Sequence, residues 1–348
     1  ARLCRGPRGV VPAGGGVIVV FDGVCLGDGP VTGVGRAFLD GLAAYARLGV
    51  AECLLLVPAG TPDPAIPGVP AFQAPRGKYR RQFVLPKLLA RLRADVLHSS
   101  VASIPASAHC RTIATLHDLP WLRPASSEPP RRLRAFLLRR LLRRASAILA
   151  PSLMTALDAR RWLGGGAPEV SVVPHGANLG PPPTERTTRE RRGPLLVLGD
   201  NRWRKNREAV VRAHTLARQR CADLPPLRFV GPHDDYVSED EKRRLLRECR
   251  AVVHCSRFEG FGLPVLEGLA HGAPVLCSDL APHREIAREH AFFVDPHSDD
   301  DIAAGLLAIH SDEPLRWRLA SGGHARAAEL SCASVARAWH AIHRGERP

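Results

Sequence analysis

Short apolar runs alternate with helical stretches along most of this 348-residue chain, and the alternation comes in two sets. In the first set residues 17–21, 51–57, 96–97, 112–116 and 147–150 read as strands, and in the second residues 195–198, 227–230, 251–254 and 274–277 do. Brief, nearly continuous apolar runs suit strands covered on both faces, and strands separated by helices pair in parallel. Two such sets predict an α/β protein with two Rossmann-like domains, each built on a parallel sheet. The segment NLGPPPTERTTRERRGP, residues 178–194, has three consecutive prolines and no periodicity, and reads as a linker. The boundaries drawn are 1–180, 181–332 and a terminal helix over 333–348. Proline-rich residues 61–75 read as a loop.

Composition narrows the class. Hydrophobic residues make up 45% of the chain, yet no apolar run approaches the roughly 20 residues of a membrane span. The opening ARLCRGPRGVVPAGGG has no apolar stretch of signal-peptide length, and it lacks an initial Met, as a truncated or misassigned start would. Nine cysteines show no zinc-ligand spacing, and Cys53, Cys255 and Cys277 lie in apolar runs as small hydrophobes. A reducing cytoplasm is the expected location. The net charge of +15 is concentrated at residues 131–144, where seven arginines alternate with leucines and a phenylalanine. That amphipathic helix either covers the core or rests peripherally on an anionic membrane, which would be the inner face of the plasma membrane. Few aromatics accompany the arginines and no zinc-finger or RNA-binding signature occurs, so no nucleic-acid partner is expected.

The densest cluster of chemistry is SRFEGFGLPVLEGLAHGAPVLCSD, residues 256–279. Pro264 suits the start of a helix, Gly272 its end, and PVLC a buried strand. Gly260 and Gly262 let a ligand approach the backbone beside N–H groups that favour phosphate. Two carboxylates, Glu259 and Glu267, flank that anion site. The ligand that reconciles them carries both phosphates and hydroxyl pairs, as a nucleotide sugar does.

This string resembles the motif of two glutamates separated by seven residues found in retaining glycosyltransferases of family 4, which have the GT-B fold, two Rossmann-like domains facing across a cleft. The resemblance runs from about residue 17 to the C-terminus. It implies that Glu259 positions the transferred sugar, that Glu267 takes the ribose hydroxyls, and that Gly260, Phe261, Gly262 and Leu263 meet the diphosphate. LLVLGDNRWRKN resembles the family's diphosphate clamp, with Lys205 the leading candidate, Arg204 the second, Arg202 a competitor and Trp203 in place of the usual proline. PVTGVGRAFLDGL resembles the glycine loop after the first strand and brings in Gly33 and Gly35. RTIATLHDLP resembles a strand ending in a catalytic His, here His117 with Asp118 beside it. Ser152, His175 (where the family has Asn) and Glu285 continue the likeness. The acidic residues Asp299, Asp300 and Asp301 read as a helix start rather than as metal ligands.

The implied activity is transfer of a hexose from a nucleoside diphosphate sugar, GDP-mannose or UDP-glucose in type, to a sugar, lipid-linked or small-molecule acceptor. No metal and no cofactor is expected. One departure stands out: the strand ending at Gly231 runs almost directly into YVSEDE, where family members place a further helix and strand. A degenerate GT-B protein binding nucleotide sugar or membrane without turnover, or a GT-B sugar epimerase, are the alternatives. A phosphorylase would need a lysine in a pyridoxal-phosphate motif, which is not found.

Overall fold

The computed structural model describes residues 16–27, 29, 31–122, 132–231 and 235–348. Arg131, the first fifteen residues and Pro232, His233 and Asp234 of the short connection lie outside the described residues. The chain divides into two compact units, residues 1–176 with 332–348 and residues 177–331.

Unit 1 contains β1 (Ile18–Asp22), α1 (Gly33–Arg47), β2 (Glu52–Pro58), β3 (Ala71–Ala74), α2 (Lys78–Arg91), β4 (Val96–Ser99), β5 (Arg111–Thr115), α3 (Arg132–Leu142), β6 (Ala147–Ala150), α4 (Leu153–Leu163) and β7 (Val170–Val172). Its seven strands are parallel in the order β3-β2-β1-β4-β5-β6-β7. Alternation along β1 shows why the runs are continuously apolar. Val19 and Phe21 pack with Phe38, Leu42 and Tyr45 of α1, whereas Ile18 and Val20 pack with Leu85 and Leu89 of α2.

Unit 2 contains α5 (Glu185–Arg189), β8 (Leu195–Leu198), α6 (Arg207–Arg220), β9 (Leu227–Val230), α7 (Glu239–Glu248), β10 (Ala251–His254), α8 (Leu263–Ala270), β11 (Val275–Ser278), α9 (Ala281–Ala287), β12 (Phe292–Val294), α10 (Asp299–Ser311) and α11 (Glu313–Glu329). Its five strands are parallel in the order β12-β11-β10-β8-β9. Leu195 and Val197 face Ala213 of α6 and Leu306 of α10, and Leu196 and Leu198 face Leu246 of α7 and Leu266 of α8.

Two sequence readings need correction, and one strand goes unpredicted. Residues 61–75 are not all loop: β3 pairs with β2 at the sheet edge, where burial is partial and the apolar signal weak. Residues 178–194 are not a bare linker. Thr184 and Thr187 form a capping box at α5, and buried Arg191 donates to the carbonyls of Leu246, Cys249, His271 and Gly272. A polar sequence can be ordered when its polar groups satisfy backbone acceptors, and composition does not reveal the partners. Strand β12 lies in the apolar run 291–294, beyond the strands expected from the sequence.

The last helix, α12 (Cys332–Arg344), belongs to unit 1 and packs on α1. The helices cross so closely that a Cβ at Gly41 would stand 2.5 Å from the Trp339 indole. A buried polar chain joins α12 to the sheet. Thr115 Oγ1 lies 3.5 Å from His98 Nε2, His98 Nδ1 3.0 Å from His343 Nε2, and His343 Nδ1 3.0 Å from Tyr45 Oη. Burial lowers the His98 pKa from 6.5 to about 3 and drives His343 the same way.

Because His98 binds its proton less readily when folded than its ordinary value of 6.5, the unfolded chain holds more protons between about pH 3 and 6.5. The contribution to stability is therefore full above pH 6.5 and is lost as pH falls towards 3. Apparent Tm measured from pH 7.5 to 5 should fall in the wild type and fall less steeply in His98→Leu. Parallel curves would show that His98 does not carry the acid sensitivity assigned to it.

Candidate active site

In an open parallel sheet, ligands collect beyond the carboxyl ends of the strands where the strand order reverses. In unit 2 that point lies between β8 and β10, from which the chain runs outward to β9 on one side and to β11 on the other. After β8 the chain makes a 3₁₀ turn at Trp203–Lys205 and then Asn206 takes a left-handed conformation, φ 56°. Asn tolerates that region better than most residues. Its Nδ2 donates to the carbonyls of Cys255 (3.0 Å) and Pro296 (2.7 Å), and its Oδ1 accepts from Arg257 Nε at 2.9 Å. The Arg257 N–H also donates to the Arg204 carbonyl at 2.8 Å. The loops after β8 and β10 are thus sewn together, and the turn delivers Lys205 and Arg204 to Glu259.

Glu259 is buried. Its Oε1 accepts from Lys205 Nζ (2.7 Å), Ser256 Oγ (2.8 Å) and His254 Nε2 (3.0 Å), while Oε2 carries the longer Arg204 contact at 3.5 Å. Burial pushes this carboxyl up, but Lys205, His254 and Arg204 outweigh it and hold it well below the usual carboxylate range. Burial lowers His254 despite the Glu259 hydrogen bond, so the ring is neutral near pH 7 and donates through Nε2. Arg202, the competitor for the clamp, instead pairs with Asp200 (Nε to Oδ2, 2.8 Å).

Beyond Glu259 the chain turns through Gly260 and Gly262 into α8. Gly262 is the N-cap at φ 120°, a backbone that suits glycine, and a Cβ there would stand 2.7 Å from the His283 ring. His283 is fully buried, donates through Nδ1 to the Ser278 carbonyl at 2.9 Å, and braces the turn from behind. The Phe261 side chain enters the unit 2 core, so only its backbone faces a ligand approaching the turn. Leu263 opens α8 and is partly buried against the same core. One turn on, Glu267 Oε1 accepts from Lys242 Nζ of α7 at 2.8 Å.

The unit 1 candidates form separate features. Gly33 and Gly35 do not lie in a loop but in the first turn of α1, where Thr32 Oγ1 accepts from the Gly35 N–H at 3.3 Å. A Cβ at Gly35 would meet Val31 Cγ1 at 3.0 Å, so this glycine serves close packing. His117, just past β5, donates through Nε2 to the Ser100 carbonyl at 2.8 Å and stacks on His175 at 5.3 Å between centroids. Its orienting bond therefore goes to a backbone carbonyl, while Asp118 acts on it through charge. Burial lowers both rings, His175 to about 3. At the end of β1, buried Asp22 pairs with Arg81 of α2, and burial raises its carboxyl to about 6 against the pull of that guanidinium.

Other readings resolve locally. Ser152 caps α4 by accepting from the Thr155 N–H at 3.1 Å. The Glu285 carbonyl accepts from Arg326. Asp299, Asp300 and Asp301 fill the first turn of α10 behind the Ser298 cap. Cys221, Asp223 and His310 cluster within 4.8 Å, but Arg250 and Arg316 both donate to the His310 carbonyl, a cationic setting that disfavours a metal ion. Sequence reasoning did not assign His254, His283 and Lys242 roles in the site. The position of His254 at a strand end two residues before Ser256 was a usable signal. Lys242 gave none, since Glu267 is 25 residues away.

Comparisons with known proteins bear on the family and the fold. The family model described as Glycosyltransferase Family 4 matches residues 31–180, and Glycosyl transferases group 1 matches residues 235–326. Over 105 residues, 30% of this chain, the sequence is 32% identical to O-antigen chain mannosyltransferase B of Escherichia coli, a match spanning 26% of that relative. Sucrose-phosphate synthase from Thermosynechococcus elongatus superposes with a TM-score of 0.70 at 16% identity, covering 94% of this chain and 98% of that one. Anabaena HepE in complex with UDP and glucose gives 0.68 at 16% identity, covering 94% and 100%. Among the described residues no helix is long and apolar enough to cross a membrane. With two parallel-sheet units of GT-B type, a glycine turn bearing Glu259 and Glu267, and matches in both units, the chain belongs to glycosyltransferase family 4, the glycosyl transferases of group 1.

Proposed function

We propose that this chain is a retaining hexosyltransferase that uses a nucleoside diphosphate sugar, with unit 2 holding the donor and unit 1 serving the acceptor. The observation that carries the reading is the buried Glu259 bonded to Lys205, His254 and Ser256 at the mouth of a glycine turn that opens α8. Oε1 is taken by three donors, so the carboxylate is fixed, and Oε2 is the better placed to accept sugar hydroxyls. A carboxylate so held is an orienting group and not a nucleophile. The leaving diphosphate would take the acceptor proton on the face of attack. Lys205, Arg204 and the N–H groups at the start of α8 would carry the charge that builds on it, and His117 would serve the sugar. Those cations do the work a metal ion would do, and no cofactor takes part.

Relatives named mannosyltransferases favour a GDP-mannose type donor, and the UDP complex of HepE keeps UDP-glucose in the comparison. The Glu259 cluster is assembled despite the short connection after β9, which favours turnover over the degenerate alternative, and donor-dependent release of nucleoside diphosphate separates transfer from the epimerase reading. Cytoplasmic residence with peripheral membrane contact fits the exposed side of α3. Leu133, Phe136 and Leu137 are exposed beside Arg134 and Arg140, although Arg139 and Arg143 bind the Leu163 carbonyl and Leu142 is buried.

Nucleoside diphosphate release from GDP-mannose and UDP-glucose tests the chemistry. Removing one donor at a developing charge costs about 10²–10³ in rate, and Lys205→Ala should lose that much and Arg204→Ala less. Glu259→Ala should cut turnover with little change in nucleotide affinity, and activity should survive EDTA. Wild-type kinetics in folded Lys205→Ala and Glu259→Ala would refute the site, and anomeric inversion in the product would refute the retaining mechanism.

For the membrane contact, vesicle sedimentation with anionic lipid should pellet the wild type at low salt and release it at high salt, since each basic residue near such a surface adds about 1 kcal/mol. Replacing Leu133, Phe136 and Leu137 by Ser should abolish pelleting while donor hydrolysis persists. No pelleting by the wild type at low salt would end the idea.

A further inference from the structure

Lys242 occupies a place that the donor-site reading leaves without a role. It sits in the first turns of α7, the helix that follows β9 after the short connection, and it reaches across to α8. Its Nζ lies 2.8 Å from Glu267 Oε1 and 3.2 Å from Glu239 Oε2. Burial draws the ammonium down, but the carboxylates of Glu267 and Glu239 outweigh it and hold it above its ordinary range, so Lys242 keeps its charge. The side chains of Lys242 and Glu267 are 17% and 24% exposed, which leaves one side of the pair open to a ligand.

A carboxylate that receives two neighbouring hydroxyls must be ionised and must present both oxygens at a set angle. A free glutamate rotates about its broad terminal torsion and meets a diol only part of the time. Here one oxygen is fastened to a lysine whose ammonium is also held by Glu239. Oε2 and the second lone pair of Oε1 then remain to accept hydroxyls. The clamp depends on α7 lying against α8, and the short connection after β9 leads straight into α7.

We infer that Lys242 is a positioning residue that sets Glu267 to receive a ribose cis-diol, making the Lys242–Glu267 pair a selector for ribonucleoside over 2′-deoxyribonucleoside diphosphates. The inference rests on the assignment of the donor ribose to Glu267. Hydrogen bonds to charged groups are the stronger kind, so loss of one hydroxyl partner should lower affinity by about tenfold to a hundredfold.

Calorimetric titration of the full chain with UDP, dUDP, GDP and dGDP tests this, with donor KM and kcat measured alongside. The wild type should prefer the ribonucleotide of its base by about tenfold or more. Lys242→Met should bring that preference within about threefold and raise donor KM while kcat stays within about threefold, and Lys242→Arg should restore both. If Lys242→Met kept the wild-type preference and KM, the inference would be overturned while the ribose assignment stood. If Glu267→Ala kept them as well, the ribose assignment itself would fall, and the inference with it.

Discussion

The Lys205–Glu259 ion pair is the constraint around which unit 2 is arranged. Both partners are largely shielded from water, with side chains 12% and 7% exposed. Desolvating two charges is costly, and a buried pair is a poor way to gain stability compared with an apolar replacement. It persists only where further hydrogen bonds complete it. Here His254 comes from the end of β10, Ser256 from the loop beyond it, and Lys205 from a turn fixed by the left-handed Asn206. The sheet places β8 and β10 side by side so that these groups converge. Several buried polar groups meeting at one strand edge, with a carboxylate held well below its usual range, make this the candidate site for a charged ligand.

Much of this was legible beforehand, and the reason is local. Strands β8 and β10 coincide with apolar runs because each is covered on both faces, and the glycine turn before α8 declares itself by composition. Arg204 was preferred to Arg202 by likeness, and the geometry gives the physical difference: Asp200 captures Arg202 two residues away, whereas the 3₁₀ turn carries Arg204 past it. What could not be read depends on partners distant in sequence. Arg191 looks like another charge in a polar stretch until the carbonyls of two helix ends are brought around it. His283 looks like one more histidine until Gly262 is placed against its ring. Lys242 belongs to an ordinary charged helix until α8 lies alongside.

Unit 1 uses histidine differently. His98 and His343 are buried in a hydrogen-bonded chain with Tyr45 and Thr115, which anchors α12 and favours neutral rings. His117 shares the same sheet, but it lies beyond the strand end, fixed by the Ser100 carbonyl and by stacking on His175. Interior histidines of the first kind hold the fold; one at the carboxyl end of a strand is where an open sheet meets its ligands.

The proposed function requires that a nucleoside diphosphate bind at the switch point of unit 2, against the loops after β8 and β10. Amide hydrogen exchange with and without UDP or GDP tests it most directly. Whichever nucleotide binds should slow exchange together in residues 199–206 and 256–267. Protection confined to other segments, or none in either loop with any nucleoside diphosphate or its sugar at millimolar concentration, would contradict it.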